Sequence, residues 1–135
     1  MEEEYKRLRS GWAEGDRDRV RALHLLYLSW WHWAEPEFLT GLSEDPSAVA
    51  LWHEVFDHFG GEASSDAEFL FVASIMATVT PWGLGDEVHW AAAANRLSAR
   101  ARQLRPNGFS ASDFDGRGDY GEYFAHHSSI TSTVR

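Results

Sequence analysis

The chain of 135 residues has no cysteine, so disulfides and thiolate metal sites are excluded outright. It has no lysine or arginine between Arg21 and Arg96. Phosphate recognition rests on those side chains, so the middle of the chain is not a nucleic-acid surface. Long hydrophobic runs are missing too. The longest apolar stretch, Phe69–Val79, covers 11 residues, against the roughly 20 needed to cross a bilayer. The opening Met1–Arg9 is charged with no apolar run behind it, so no secretory signal is expected. A soluble cytoplasmic protein that binds neither membrane nor nucleic acid is the expectation. There is no Gly-x-Ser-x-Gly, no phosphate loop and no dinucleotide fingerprint, and no cofactor is implied.

What is present is apolar and aromatic. Hydrophobic residues make up 44% and aromatic residues 14%, the composition of a globular chain able to bury a core. The richest stretch is Arg21–Trp33. There Val20, Leu23, His24, Tyr27, Leu28, Trp31 and Ala34 recur at the spacing of one helical face, and Ala22, Leu26, Trp30 and Trp33 form a second line beside it. Asp18, Arg21, Ser29 and His32 leave only a narrow polar strip. A helix apolar on nearly all sides is buried on nearly all sides, so this is the expected central helix, with Trp30 and Trp31 largely enclosed.

Other helices follow from punctuation. Glu2–Glu14 reads as a short helix with Tyr5, Leu8 and Trp12 on one side. Asp16 is the expected N-cap of the central helix, which must stop where Glu35 meets Pro36. Asp45-Pro46 predicts the start of a helix carrying Val49, Trp52, Val55, Phe56 and Phe59 inward, ended by Gly60-Gly61. Ser65-Asp-Ala-Glu68 matches a capping box and opens Phe69–Val79, apolar all round and expected to be buried. Asp86 then caps a long helix whose inward line is Trp90, Ala94, Leu97, Ala101 and Leu104. With no alternating strand pattern, the expectation is an all-α compact bundle or short solenoid of about five helices over 1–108. An aromatic, glycine-rich C-terminal tail, 109–135, packs on the same domain.

Two of these segments echo each other. Gly15-Asp16 opens a helix closing at Pro36, and Gly85-Asp86 opens one closing at Pro106, 70 residues on, about twice a 34-residue repeat. Ala22 matches Ala92. In this pattern of boundaries the chain resembles tetratricopeptide repeats, although each helix is about a turn too long and the Trp-x-x-Leu-Gly-x-x-Tyr pattern is absent from the first helices. The resemblance implies a peptide-binding helical scaffold.

In the tail, Phe109, Phe114, Tyr120, Tyr123 and Phe124 are spaced along a chain that reads as too glycine-rich for a long helix, so they are expected to anchor it to the bundle. Asp113, Asp115, Asp119 and Glu122 hint at a calcium loop. Arg117 and Phe124 occupy the places where an EF-hand needs an oxygen ligand and a bidentate Glu, so calcium is not expected.

Two constellations bear on chemistry. In Trp52-His-Glu-Val-Phe-Asp-His58, Glu54 and His58 share a helix face, whereas the two histidines lie five apart and diverge. Glu54 with His58 could supply half of a bundle metal site and Asp86-x-x-His89 approximates a matching pair, although Phe69–Val79 offers no inward carboxylate. This is the basis of an alternative reading as a small histidine/carboxylate metal-dependent enzyme. His24 lies on the most apolar face of the central helix and His32 on its polar strip, with no signature nominating a nucleophile.

The leading reading is an acidic protein-interaction module, inhibitor-like, that binds a basic protein. The chain carries a net charge of −9. Eleven acids and no base lie between residues 22 and 95, and such a field steers a basic partner. The expected docking surface comprises Glu35, Glu37, Glu62 and Glu87, with Trp82 as an aromatic anchor, since a tight Pro-Trp-Gly-Leu-Gly turn rarely buries a whole indole.

Overall fold

The structure, a computed structural model, describes residues 2–34 and 47–134, with side chains as far as Ser128. Seven α-helices and no strand are found among the described residues: α1 (Glu2–Ala13), α2 (Arg19–Ala34), α3 (Ala48–His58), α4 (Ala67–Val79), α5 (Pro81–Leu84), α6 (Glu87–Leu104) and α7 (Gly118–Val134). Two short 3-10 turns, Gly61–Ala63 and Ala111–Phe114, complete them. None of the described helices is long and apolar enough to cross a membrane. The start at Asp45-Pro46 lies outside the described residues, as do Glu35 and Glu37 of the expected docking surface.

The helix ends follow local chemistry, shifted in places from expectation. The cap of α2 is Asp18, whose carboxylate accepts the Arg21 N–H at 3.0 Å. Asp16 instead accepts the Asp18 N–H and the Arg21 side chain, so it braces the turn before the helix. Asp66, not Ser65, caps α4 by accepting the Phe69 N–H at 3.1 Å. A carboxylate one residue later accepts from the orphan donors as a hydroxyl would and adds negative charge at the positive end of the helix. Gly60 and Gly61 hold φ of 99° and 57°, the left-handed backbone that stops α3.

Helices α2 and α3 pack on each other, α4 folds back against α6, and the two pairs close around one core. Trp30, Trp52, Phe69 and Leu70 are among its fully enclosed side chains. Trp31 and Phe71 are only half-buried, because each lies at the margin of its helix interface. Leu104, expected inward, is exposed at the last turn of α6, beyond the reach of α4. The polar strip of α2 is solvated at Asp18 and Arg21 but buried at Ser29 and His32. The Ser29 hydroxyl donates to the Leu26 carbonyl of its own helix, and His32 lies beneath α1, with the Tyr5 ring at 4.1 Å and a Glu2 carboxylate oxygen at 3.7 Å.

The C-terminal segment corrects the reading of glycine as a breaker. Gly118–Val134 forms a helix of 17 residues. Gly116 and Gly118, with φ of 72° and 63°, sit before and at its start, where left-handed backbone turns the chain. Gly121 lies inside the helix under the Phe114 carbonyl, where a Cβ would come to 2.3 Å from that oxygen. Glycine there permits close approach. Tyr120, Phe124 and Ser128, four residues apart, form the buried stripe of α7.

Candidate functional site

The described surface offers few large apolar side chains to solvent, and three of the five that are exposed fall within ten residues. Val79 is 48% exposed, Trp82 58% and Val88 79%; the others are Val20 and Leu104. These three straddle the joint where α4 ends, α5 makes one turn and α6 begins.

Each part of that joint has a local cause. The Thr80 hydroxyl donates to the Met76 carbonyl at 3.0 Å and accepts the Trp30 indole N–H at 2.8 Å, tying the end of α4 to the core. Pro81 follows at the first position of α5, where its missing N–H costs nothing. Leu84 is buried, and its carbonyl, to which only an Nε2–H can donate, lies 2.7 Å from His53 Nε2. Asp86 caps α6 by accepting the His89 N–H at 2.8 Å.

Trp82 does not stand alone. Its ring meets that of Trp33 edge to face, centroids 6.4 Å apart and planes at 87°. Trp33 reaches this position because residue 83 is glycine: a Cβ there would lie 2.3 Å from Trp33 Cζ3. The Trp33 indole N–H is buried with no hydrogen-bond partner among the described residues. Asp86 and Glu87 are exposed on the same joint, with no ion pair to a cationic side chain among the described residues.

The acidic middle of the chain is less negative in three dimensions than along the sequence. Glu62 accepts from Arg96 at 2.5 and 3.2 Å. Asp66 takes both arms of Arg19, at 2.7 and 3.0 Å. Glu68 accepts from Arg117 at 2.9 Å and from the Tyr120 hydroxyl at 2.5 Å, with Arg19 at 3.3 Å. The Arg96 hydrogen bond holds the Glu62 carboxyl below its ordinary range. Burial opposes ionisation of Asp66, but the Arg19 guanidinium and the Phe69 N–H outweigh it and its pKa is lowered. Burial, then the Glu68 charge, raises the Tyr120 phenol well above its ordinary value. Three of the eleven acids are thus matched by arginines from outside the base-free span.

Of the expected docking residues, Trp82 and Glu87 share the joint. Glu62 is bound to Arg96, nine positions along α6 from Glu87, or about 13 Å of helix. The alternative metal set is not brought together. Glu54 accepts the Trp12 indole N–H at 3.0 Å, the His58 ring packs edge-on against Trp12, and Asp86 is spent on its cap. No group of three or more His, Asp or Glu side chains is placed to hold a metal ion among the described residues. Neighbours on α3 point about 100° apart, so His53 turns to α5 while Glu54 turns to α1.

Sequence reasoning missed Trp33 as the second wall of the joint and Glu68–Arg117–Tyr120 as a polar lock. Glycine beside Trp82 was the available signal for the first. The second links residues about fifty positions apart and has no local signature. In comparisons with known proteins, the chain matches no family model, no curated protein and no solved structure.

Proposed function

We propose that this chain is a protein-binding module that docks a basic partner on the joint between α4 and α6. The observation that carries the reading is the exposure of Val79, Trp82 and Val88 together. Three of the five large apolar side chains exposed among the described residues fall within ten residues of chain, and apolar patches rimmed by polar groups mark interaction surfaces. Tryptophan is also the side chain most enriched among residues that dominate binding energy.

The charge supplies the sign of the partner. Asp57, Asp86 and Glu87 are exposed and unmatched by cationic side chains among the described residues, and the chain as a whole carries −9. Of the two boundaries that resemble tetratricopeptide repeats, the cap at Asp86 is kept and the other moves from Asp16 to Asp18, so the reading rests on the joint. Glu35 and Glu37 belong to the proposed surface by sequence.

The test is parallel affinity capture from the source cells with wild-type chain and with a V79S/W82S/V88S variant, quantified by mass spectrometry. Basic proteins retained by the wild type, lost by the variant and released by salt are the expected result. Identical retention by both baits would remove the joint as a docking surface.

A further inference from the structure

Among the described residues, four aromatic rings that are buried or half-buried each carry one of the chain's own arginines on a face. Arg17 lies over the Trp12 ring at 3.6 Å, Arg105 over Phe109 at 4.1 Å, Arg117 over Tyr120 at 5.0 Å and Arg9 over Tyr5 at 5.1 Å. Trp12 shows the complete arrangement: a guanidinium on the ring face and a carboxylate, Glu54, on the indole N–H. Trp82 is the most exposed of these aromatic rings and has no cation over it among the described residues.

From this contrast we infer that the Trp33–Trp82 corner receives one cationic side chain, an arginine or lysine, from the basic partner. The inference rests on the docking reading above and names the contact at its centre. Indole is the strongest of the aromatic cation receptors, and a cation within about 6 Å of a ring centroid is attracted by the electron-rich face. Two indole planes at 87° with centroids 6.4 Å apart present a face and a wall to one such group. Asp86 and Glu87 add negative charge on the same joint, and no lysine or arginine between residues 22 and 95 is near in sequence to compete. An apolar side chain would fill the corner without using either the ring field or the acids.

Gly83 keeps the corner in shape, since any side chain there drives into the Trp33 ring. Gly83→Ala therefore displaces one wall while leaving Trp82 exposed.

The test uses the full chain and two acetylated, amidated tripeptides, Gly-Arg-Gly and its neutral isostere Gly-citrulline-Gly. The indole N–H signals of the seven tryptophans are followed by two-dimensional NMR. The arginine peptide should shift the Trp82 and Trp33 signals in a saturable way and leave Trp30 and Trp52 unmoved, while the citrulline peptide has little effect. Trp82→Leu, an apolar replacement at an exposed site, should abolish the response, and Gly83→Ala should weaken binding about two- to five-fold, the size of an exposed cation–π contact. Equal response to both peptides, or none at Trp82, overturns the inference. If that happens while differential capture succeeds, the docking reading stands without it. If the arginine peptide titrates Trp82 while capture finds nothing, the cation receptor is upheld and the protein partner is not.

Discussion

Trp30 joins packing and hydrogen bonding in a single side chain. It is 2% exposed and donates to Thr80 across fifty positions. Trp30→Ala should cost about 3–5 kcal/mol in a denaturant titration, as a cavity mutation in a core that relaxes only in part. Trp31→Ala should cost clearly less, because Trp31 is half-buried. His24 sets a pH dependence. Burial lowers its pKa, and the groups facing it are Glu4 and Arg7 from α1 and Arg117, Asp119 and Tyr120 from the C-terminal segment. Unfolded, it titrates near pH 6.5. Between that value and the lower folded one the unfolded chain binds more protons, so stability falls as pH drops through about 6.5. His127, lowered by burial and by His126, acts in the same direction. The melting temperature should be lower at pH 5.5 than at 7.5, and His24→Gln should shrink the difference.

Helix α7 is held by few contacts of high value. Tyr123 packs against Tyr27, Trp30 and Trp31 at centroid distances of 5.5 to 5.6 Å. Arg117 and Glu68 form an ion pair with both side chains less than one-fifth exposed. Removing one partner of such a pair leaves the other charge enclosed and unmatched. Glu68→Ala should therefore destabilise the chain by about 3 kcal/mol, read as a lower denaturation midpoint. Truncation after Gly108 should do more, removing buried Phe114, Tyr120 and Phe124 and exposing apolar surface to a hydrophobic dye. A truncated chain that melts like the intact one would show that α7 is an appendage. The helix was hidden in the sequence because glycine is a breaker only on average. At Gly121 the deciding fact is a carbonyl from the preceding turn.

At the scale of the whole molecule the question is how much of the charge is free to act. Glu62, Asp66 and Glu68 are answered by Arg96, Arg19 and Arg117. Among the described acids of the base-free span, the charge not matched by a cation therefore lies with Glu54, Asp57, Asp86 and Glu87. At physiological ionic strength its field reaches about 8 Å. It hastens the approach of a basic partner, and holding falls to the apolar joint. Glu87→Lys should slow association with the captured partner and flatten its salt dependence. Glu62→Gln should change the association rate less, because its charge is already compensated. Trp82→Ala should speed dissociation, by about 2 kcal/mol if the indole is a dominant contact. Surface-plasmon kinetics at two salt concentrations separate these effects, and association indifferent to both salt and Glu87→Lys would leave the acids as a solubilising surface.

Some of this was determined by the sequence alone. The all-helical class, the cap at Asp86, the stop at Gly60-Gly61, the enclosure of Trp30 and the exposure of Trp82 all depend on residues within about a turn of one another. Capping, left-handed backbone and apolar periodicity act at that range. Contacts between distant elements were settled by the tertiary structure. Position on a helical wheel marked His32 as polar-facing, but α1 covers it with Tyr5. Eleven acids read as an open field until arginines 34 to 49 positions away closed on three of them. The Trp33–Trp82 corner likewise needed α2 to meet α5 over a glycine. Local sequence encodes where a helix begins and which face is apolar. Which partner covers that face depends on packing all the helices at once, and no window of sequence contains that.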